Sequence, residues 1–228
     1  MIMEADNMGA IHDVARRQES LLAPPEGKVL HWLARRMPKR IGPDHLTALG
    51  FAATAMAGFC YAACRWWAPA LPLVNIFVAI NWFGDSLDGT LARVRGTLRP
   101  RYGFYVDHML DSLGALLLIG GLAVSGLMNE RVAVSLLVAF LLLSIHSYLA
   151  TCTDACFRLS FWKFGPTELR LLLMAGNSYA YAHPVTRVFG CQWPFFDVAG
   201  VIGATAMFLM LLALVARQTV RLYRAERI

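Results

Sequence analysis

The sequence predicts an all-α polytopic membrane protein, with six transmembrane helices preceded by an amphipathic helix in the membrane interface. Three observations predict it. Hydrophobic residues make up 57% of the chain and charged residues only 16%, a balance suited to lipid. The apolar residues gather in several stretches of the roughly 20 residues that a spanning helix needs. Lys and Arg concentrate in alternate connections between those stretches.

The first residues, 1–18, are polar and carry Asp6, Asp13, Arg16 and Arg17. They lack the basic-then-apolar layout of a cleaved signal peptide and read as a cytoplasmic lead. A helix follows at about 26–37, with Val29, Leu30, Leu33 and Met37 on one face and Trp32 near its edge. Lys28, Arg35 and Arg36 give it positive charge. Two readings fit: an amphipathic helix in the headgroup layer, or a surface helix packed on the protein. Residues 1–42 thus form a lead and juxtamembrane helix, and 43–228 form one membrane domain. Pro43 and Asp44 open the first span, with Asp44 a candidate N-cap.

Spans are expected at 45–64, 71–94, 104–127, 131–155, 167–184 and 195–217. The fifth is diluted by Asn177, Tyr179, Tyr181 and His183. With both termini cytoplasmic, eighteen of the 21 basic residues fall inside, and only Arg65, Arg131 and Arg187 fall outside. The net charge of +6 is then a membrane signature, with anionic lipid headgroups as its partner and no nucleic acid. The five cysteines read as small buried hydrophobes and imply neither a zinc site nor a disulfide framework.

The second span ends in Gly84-Asp85-Ser86-Leu87-Asp88-Gly89-Thr90-Leu91-Ala92-Arg93, and the third opens with Gly103-Phe104-Tyr105-Val106-Asp107-His108-Met109-Leu110-Asp111. Four carboxylates at a membrane boundary are costly unless paired or solvated, so they mark a functional site. Asp85 and Asp88 are i, i+3, and Asp107 and Asp111 are i, i+4, so each pair shares a helix face. The short connection makes the two helices antiparallel neighbours, and the acidic faces can converge. Converging carboxylates repel unless cations neutralise them. All-oxygen ligands favour a hard ion, Mg²⁺ or Mn²⁺, and a pair of such ions suits phosphoryl chemistry. Gly89 and Ala92 leave room for a bulky ligand against the helix. Arg93 offers a fork to phosphate, and Gly103 opens space at the next helix start. Asn81, one turn before Asp85, either faces a nucleotide or makes a polar packing contact.

This stretch resembles the signature of the CDP-alcohol phosphotransferase family, D-x2-D-G-x2-A-R, a spacer, then G-x3-D-x3-D. Every fixed position is present between Asp85 and Asp111, with a nine-residue spacer between Arg93 and Gly103. The resemblance implies a six-helix core with a cytoplasmic active site. It implies two divalent metal ions on Asp85, Asp88 and Asp107, with Asp111 completing the site as general base. Gly89, Arg93 and Gly103 would contact CDP, and the products would be CMP and a phosphodiester lipid. Pro43-Asp44-His45-Leu46-Thr47 is similar to the family's P-N-x-x-T entry to the first helix, with Asp in place of Asn. The partners implied are a CDP-alcohol, a lipid or polar alcohol acceptor and membrane lipids, and a homodimer is allowed.

Two segments resemble the choline/ethanolamine branch of that family: Asp107-His108-Met109-Leu110-Asp111-Ser112-Leu113 and Gly165-Pro166-Thr167-Glu168. They lean the reading toward a CDP-amino-alcohol with a diglyceride acceptor. CDP-diacylglycerol with a small polar alcohol, such as glycerol phosphate or inositol phosphate, is the alternative. Asp154 stands where that branch has a histidine thought to assist acceptor deprotonation. Asp154 and Glu168 are therefore candidates for positioning the acceptor, although Glu168 also suits the dipole of a helix first turn. Arg158, Lys163 and Arg170 either bind an acceptor phosphate or only obey the positive-inside rule. A membrane prenyltransferase fits less well, because its acidic motifs lie far apart in sequence. A cation transporter is the non-enzyme alternative, and no internal repeat supports it.

Overall fold

The computed structural model describes residues 22–154, 165–188 and 190–226, the side chain of Asp154 excepted. Seven helices and one hairpin occur among them: α1 (Ala23–Arg36), α2 (Pro43–Ala63), α3 (Ala70–Val94), α4 (Pro100–Val124), α5 (Glu130–Asp154), α6 (Pro166–Ala182), β1 (Val185–Val188), β2 (Cys191–Pro194) and α7 (Phe195–Ala225). Five of these helices, α2 to α5 and α7, are long and apolar enough to cross a membrane. Their outer faces keep Phe59, Leu149, Ile202, Leu209 and Leu212 more than 60% exposed, which a water-soluble protein would bury. The chain is an integral membrane protein. A helix, α6, stands where the fifth span was expected, but its 17 residues reach only about 26 Å at the α-helical rise, and it is not among those five.

Proline sets the start of three helices. Pro43, Pro100 and Pro166 each occupy the first helical position, where the missing N–H has no partner to lose. This shifts the start of α2 two residues ahead of the sequence expectation and that of α4 four residues. Asp44 consequently lies inside the first turn and is not the N-cap. That position falls to Gly42, whose N–H donates to His45 Nδ1 at 3.0 Å. Met37 ends α1 in an extended conformation because Pro38 follows it.

α2 is the central helix. It packs most closely on α3 and then on α4, while α5 joins α4 to α7 and α6 lies on α3. Glycine makes the α2–α3 contact possible: a Cβ at Gly84 would come within 2.6 Å of the Gly50 N and the Leu46 O. A Cβ at Gly121 would come closer still to the Gly58 carbonyl oxygen, so glycine also lets α4 pack against α2. A polar chain crosses this core. Tyr61 donates to Asn177 Oδ1 at 2.7 Å, and Asn177 Nδ2 donates to Asn75 Oδ1 at 2.8 Å, tying α2, α6 and α3 together. Asn177, which diluted the apolar pattern of α6, is 1% exposed.

α1 divides the face that the sequence assigned to it. Leu30 and Ala34 are buried with Leu46, Leu87 and Leu91, and Leu33 and Met37 pack alongside. Val29 and Trp32 remain 49% and 55% exposed, with the Arg36 guanidinium 3.9 Å above the Trp32 ring. Arg95, just past α3, holds the end of α1 by donating to the carbonyls of Met37, Pro38 and Ile41. The β1–β2 hairpin was not expected from sequence. Its strands pair Val188 with Cys191 and Val185 with Pro194, and Gly190 turns the chain with φ +81°. Four-residue strands are too short to show a periodic signal.

Candidate active site

The N-terminal ends of α2, α4 and α6 meet the C-terminal end of α3. Asp44 of α2 pairs with Arg99 at the start of α4, and this hydrogen bond raises the Arg99 pKa further, so the bridge stays ionised. Three positive helix ends therefore surround the acidic end of α3, a field that favours anions.

Asp88 is the buried member of the acidic set, 7% exposed. Thr47 Oγ1 of α2 donates to its Oδ2 at 2.6 Å, and the Gly89 N–H donates to its Oδ1. It feels the charges of Asp85 and of Asp107, so the acids of α3 and α4 do share one field. Asp107 is half-buried and Asp111, one turn further along, is exposed. Asp85 is drawn to the opposite side, where Arg170 of α6 donates to its Oδ2 at 2.5 Å. The same guanidinium donates to Asn81 Oδ1 at 2.8 Å. Asn81 Nδ2 donates to Gly50 O at 3.1 Å and Thr54 Oγ1 at 2.8 Å, so this amide both packs the helices and orients Arg170.

The helices that carry the acids, α3 and α4, are not the packed neighbours the short connection suggested, because each packs on α2. The donor set still suits hard divalent cations, being anionic oxygens on two helices flanking α2, one of them already fixed by a hydroxyl and a backbone N–H. Among the described residues, no three His, Cys, Asp or Glu side chains already gather at ligand distance. With Arg170 on Asp85, the side chains would have to rotate to share an ion.

The other sequence candidates fall around this centre. Gly89 is half-buried, and its carbonyl accepts from Arg93 Nε at 3.0 Å, leaving the Arg93 side chain at the exposed rim. A Cβ on Gly103 would meet nothing within 4 Å, so the space expected there is open. Ala92 is 8% exposed and lies within the packed core, away from any open approach. Glu168 uses both oxygens on backbone: Oε2 accepts from Gly165 N and Oε1 from Leu22 N, each at 2.9 Å. It caps α6 and ties down the start of α1. Asp154 ends α5, and its side chain lies outside the described residues, as do Arg158 and Lys163. Thr47 and Arg170 carry more of the site than the sequence reading gave them. Their signals were the Thr of the P-N-x-x-T likeness and a basic residue one turn inside a span.

Comparison with known proteins bears on the fold. No family model matches the sequence. The chain is 30% identical over 104 residues to the archaetidylinositol phosphate synthase of Pyrococcus horikoshii, a stretch covering 46% of this chain. The match spans about half of that relative, 52% of its length. The structure is similar to the crystal structure of Mycobacterium tuberculosis phosphatidylinositol phosphate synthase (PgsA1) with CDP-DAG bound, at a TM-score of 0.61 and 20% identity. That similarity covers 83% of this chain and 92% of the other. The helical arrangement described above is therefore similar in fold to that crystal structure.

Proposed function

We propose that this protein transfers a phosphatidyl-type group from a CDP-activated glycerolipid to the hydroxyl of a small phosphorylated alcohol, releasing CMP. The observation that carries this reading is Arg170, a cation inside the membrane domain held on Asn81 and Asp85. A phosphate-bearing acceptor needs such a guanidinium beside the acidic centre. A diglyceride acceptor carries no anion for it to meet. The two proteins named above are an archaetidylinositol phosphate synthase and a phosphatidylinositol phosphate synthase, which favours the CDP-diacylglycerol alternative over the amino-alcohol branch.

In this reaction the acceptor oxygen attacks the phosphorus that carries the lipid. The bond from that phosphorus to the bridging oxygen breaks, and CMP leaves with the bridging oxygen. Asp111, on the exposed side, takes the acceptor proton. Asp85, Asp88, Asp107 and Asp111 would hold two divalent ions, Mg²⁺ or Mn²⁺, whose charge offsets that of the diphosphate and the departing CMP. Arg93 and the open space at Gly103 hold the CDP moiety, and Asn81 orients Arg170.

The test is a substrate panel with purified protein and Mg²⁺ or Mn²⁺. CMP release is expected from CDP-diacylglycerol with inositol phosphate or glycerol phosphate. Release only from CDP-choline or CDP-ethanolamine with diglyceride would restore the amino-alcohol reading.

A further inference from the structure

Glu26, in the first turn of α1, joins the two helices that Arg170 joins. Its Oε1 accepts from Trp82 Nε1 of α3 and from Thr167 Oγ1 of α6, each at 2.7 Å. Trp82 follows Asn81 in the chain, and Thr167 precedes Arg170 by one helical turn. Arg170 in turn reaches Asn81 and Asp85. These two polar links fasten the first half of α6 to α3 one turn apart, while Asn75 ties its second half, and of these only the Arg170 link touches the acidic centre.

Along the outer side of α6, Leu169, Leu171 and Leu172 are 57%, 51% and 66% exposed, as a lipid-facing side is, so its first half is placed from α3 and α1. α1 is anchored apart from α6: Leu30 and Ala34 are buried with Leu87 and Leu91, and Arg95 binds its far end. A carboxylate on an anchored helix that accepts two bonds from different helices sets their spacing. We propose that Glu26 is a positioning residue, setting the place of Arg170 at the acceptor end of the site through Thr167 and Trp82. The consequence for catalysis rests on the reading of Arg170 given under the proposed function.

The experiment compares Glu26→Ala and Glu26→Gln in the full chain, in lipid nanodiscs. Glutamine keeps a carbonyl oxygen that accepts both bonds; alanine keeps neither. Glu26→Ala is expected to raise the KM for the phosphorylated acceptor roughly tenfold, the scale of one lost hydrogen bond to a charged group. The KM for CDP-diacylglycerol should stay at the wild-type value. Hydrogen–deuterium exchange over residues 165–173 should speed up in Glu26→Ala and return to the wild-type rate in Glu26→Gln. Thr167→Val, which removes only the hydroxyl, should reproduce the acceptor effect, and it decides the matter if Glu26→Ala does not fold. Equal losses for both substrates, or Glu26→Gln behaving as Glu26→Ala, would overturn the proposal. If wild-type protein turns over no phosphorylated acceptor, the functional reading fails. Unchanged exchange over 165–173 in Glu26→Ala rejects the positioning role on its own.

Discussion

Thr47 and Asp88 show how a neutral side chain prepares an acidic one. The hydroxyl lies 2.6 Å from Asp88 Oδ2 and fixes that carboxylate, which feels the charge of Asp107. Thr47→Val keeps the shape and removes the donor, so it should weaken Mn²⁺ binding by about 10–100-fold, the usual cost of losing a partner of a ligand. Calorimetry with Mn²⁺ measures this without any substrate, and unchanged affinity would show that Asp88 needs no orientation. Asp85→Ala, Asp88→Ala and Asp107→Ala should each abolish CMP release while the protein stays in the membrane. Asp111→Asn should bind CDP-diacylglycerol and metal but turn over by at least about 10²-fold more slowly, the lower range for a general base. Loss of binding in Asp111→Asn would make the residue chiefly a ligand. The acids were legible in sequence because charge inside an apolar span has few structural uses. Thr47 and Arg170 were only partly legible. A threonine in a helix and an arginine at a span end both have ordinary explanations until the partner across the bundle is seen.

The helices repeat this lesson at the next scale. Their order and ends followed from apolar length, and the departures trace to single residues. Pro43 and Pro100 moved two starts outward, and Gly190 turned an expected loop into a hairpin. The distinction between Gly84 and Gly103 was hidden, because both are glycines beside the acidic motif. At Gly84 a Cβ would lie 2.6 Å from backbone atoms of α2, which cannot rotate away. Gly84→Ala should destabilise the protein by about 1–3 kcal/mol or more through overpacking. It should also weaken metal binding, because α2 carries Thr47. Gly103→Ala meets open space, so the melting temperature should not change while the KM for CDP-diacylglycerol rises. Thermal unfolding in detergent and substrate kinetics separate the two. Asn177 belongs to this scale as well. It weakened the α6 pattern in sequence, and Asn177→Leu should cost about 1–3 kcal/mol by stranding Tyr61 and Asn75.

Across the whole molecule, the basic residues gather toward one end. Arg93, Arg95, Arg99 and the basic face of α1 lie at the end that holds the acidic centre. The far end exposes Trp66, Trp67 and Trp193, at 80%, 54% and 51%, as an aromatic belt would. α7 adds a measure of depth. Its 31 residues span about 46 Å, against a hydrocarbon core of about 30 Å, so its last turns protrude with Arg217, Arg221 and Arg224. By the positive-inside rule we propose that this end, and with it the site, faces the cytoplasm. The hairpin supplies a native reporter, since Cys191 is exposed at the opposite end. With the other four cysteines replaced, Cys191 should react with a membrane-impermeant maleimide added outside intact cells. In a background where Cys191 is replaced too, Thr97→Cys, in the exposed connection between α3 and α4, should react only after the membrane is opened. The opposite pattern would turn the molecule over. CDP-activated lipid and CMP would then have to be handled on the outer face, where the basic residues described at the site end would oppose the charge rule that orients such helices.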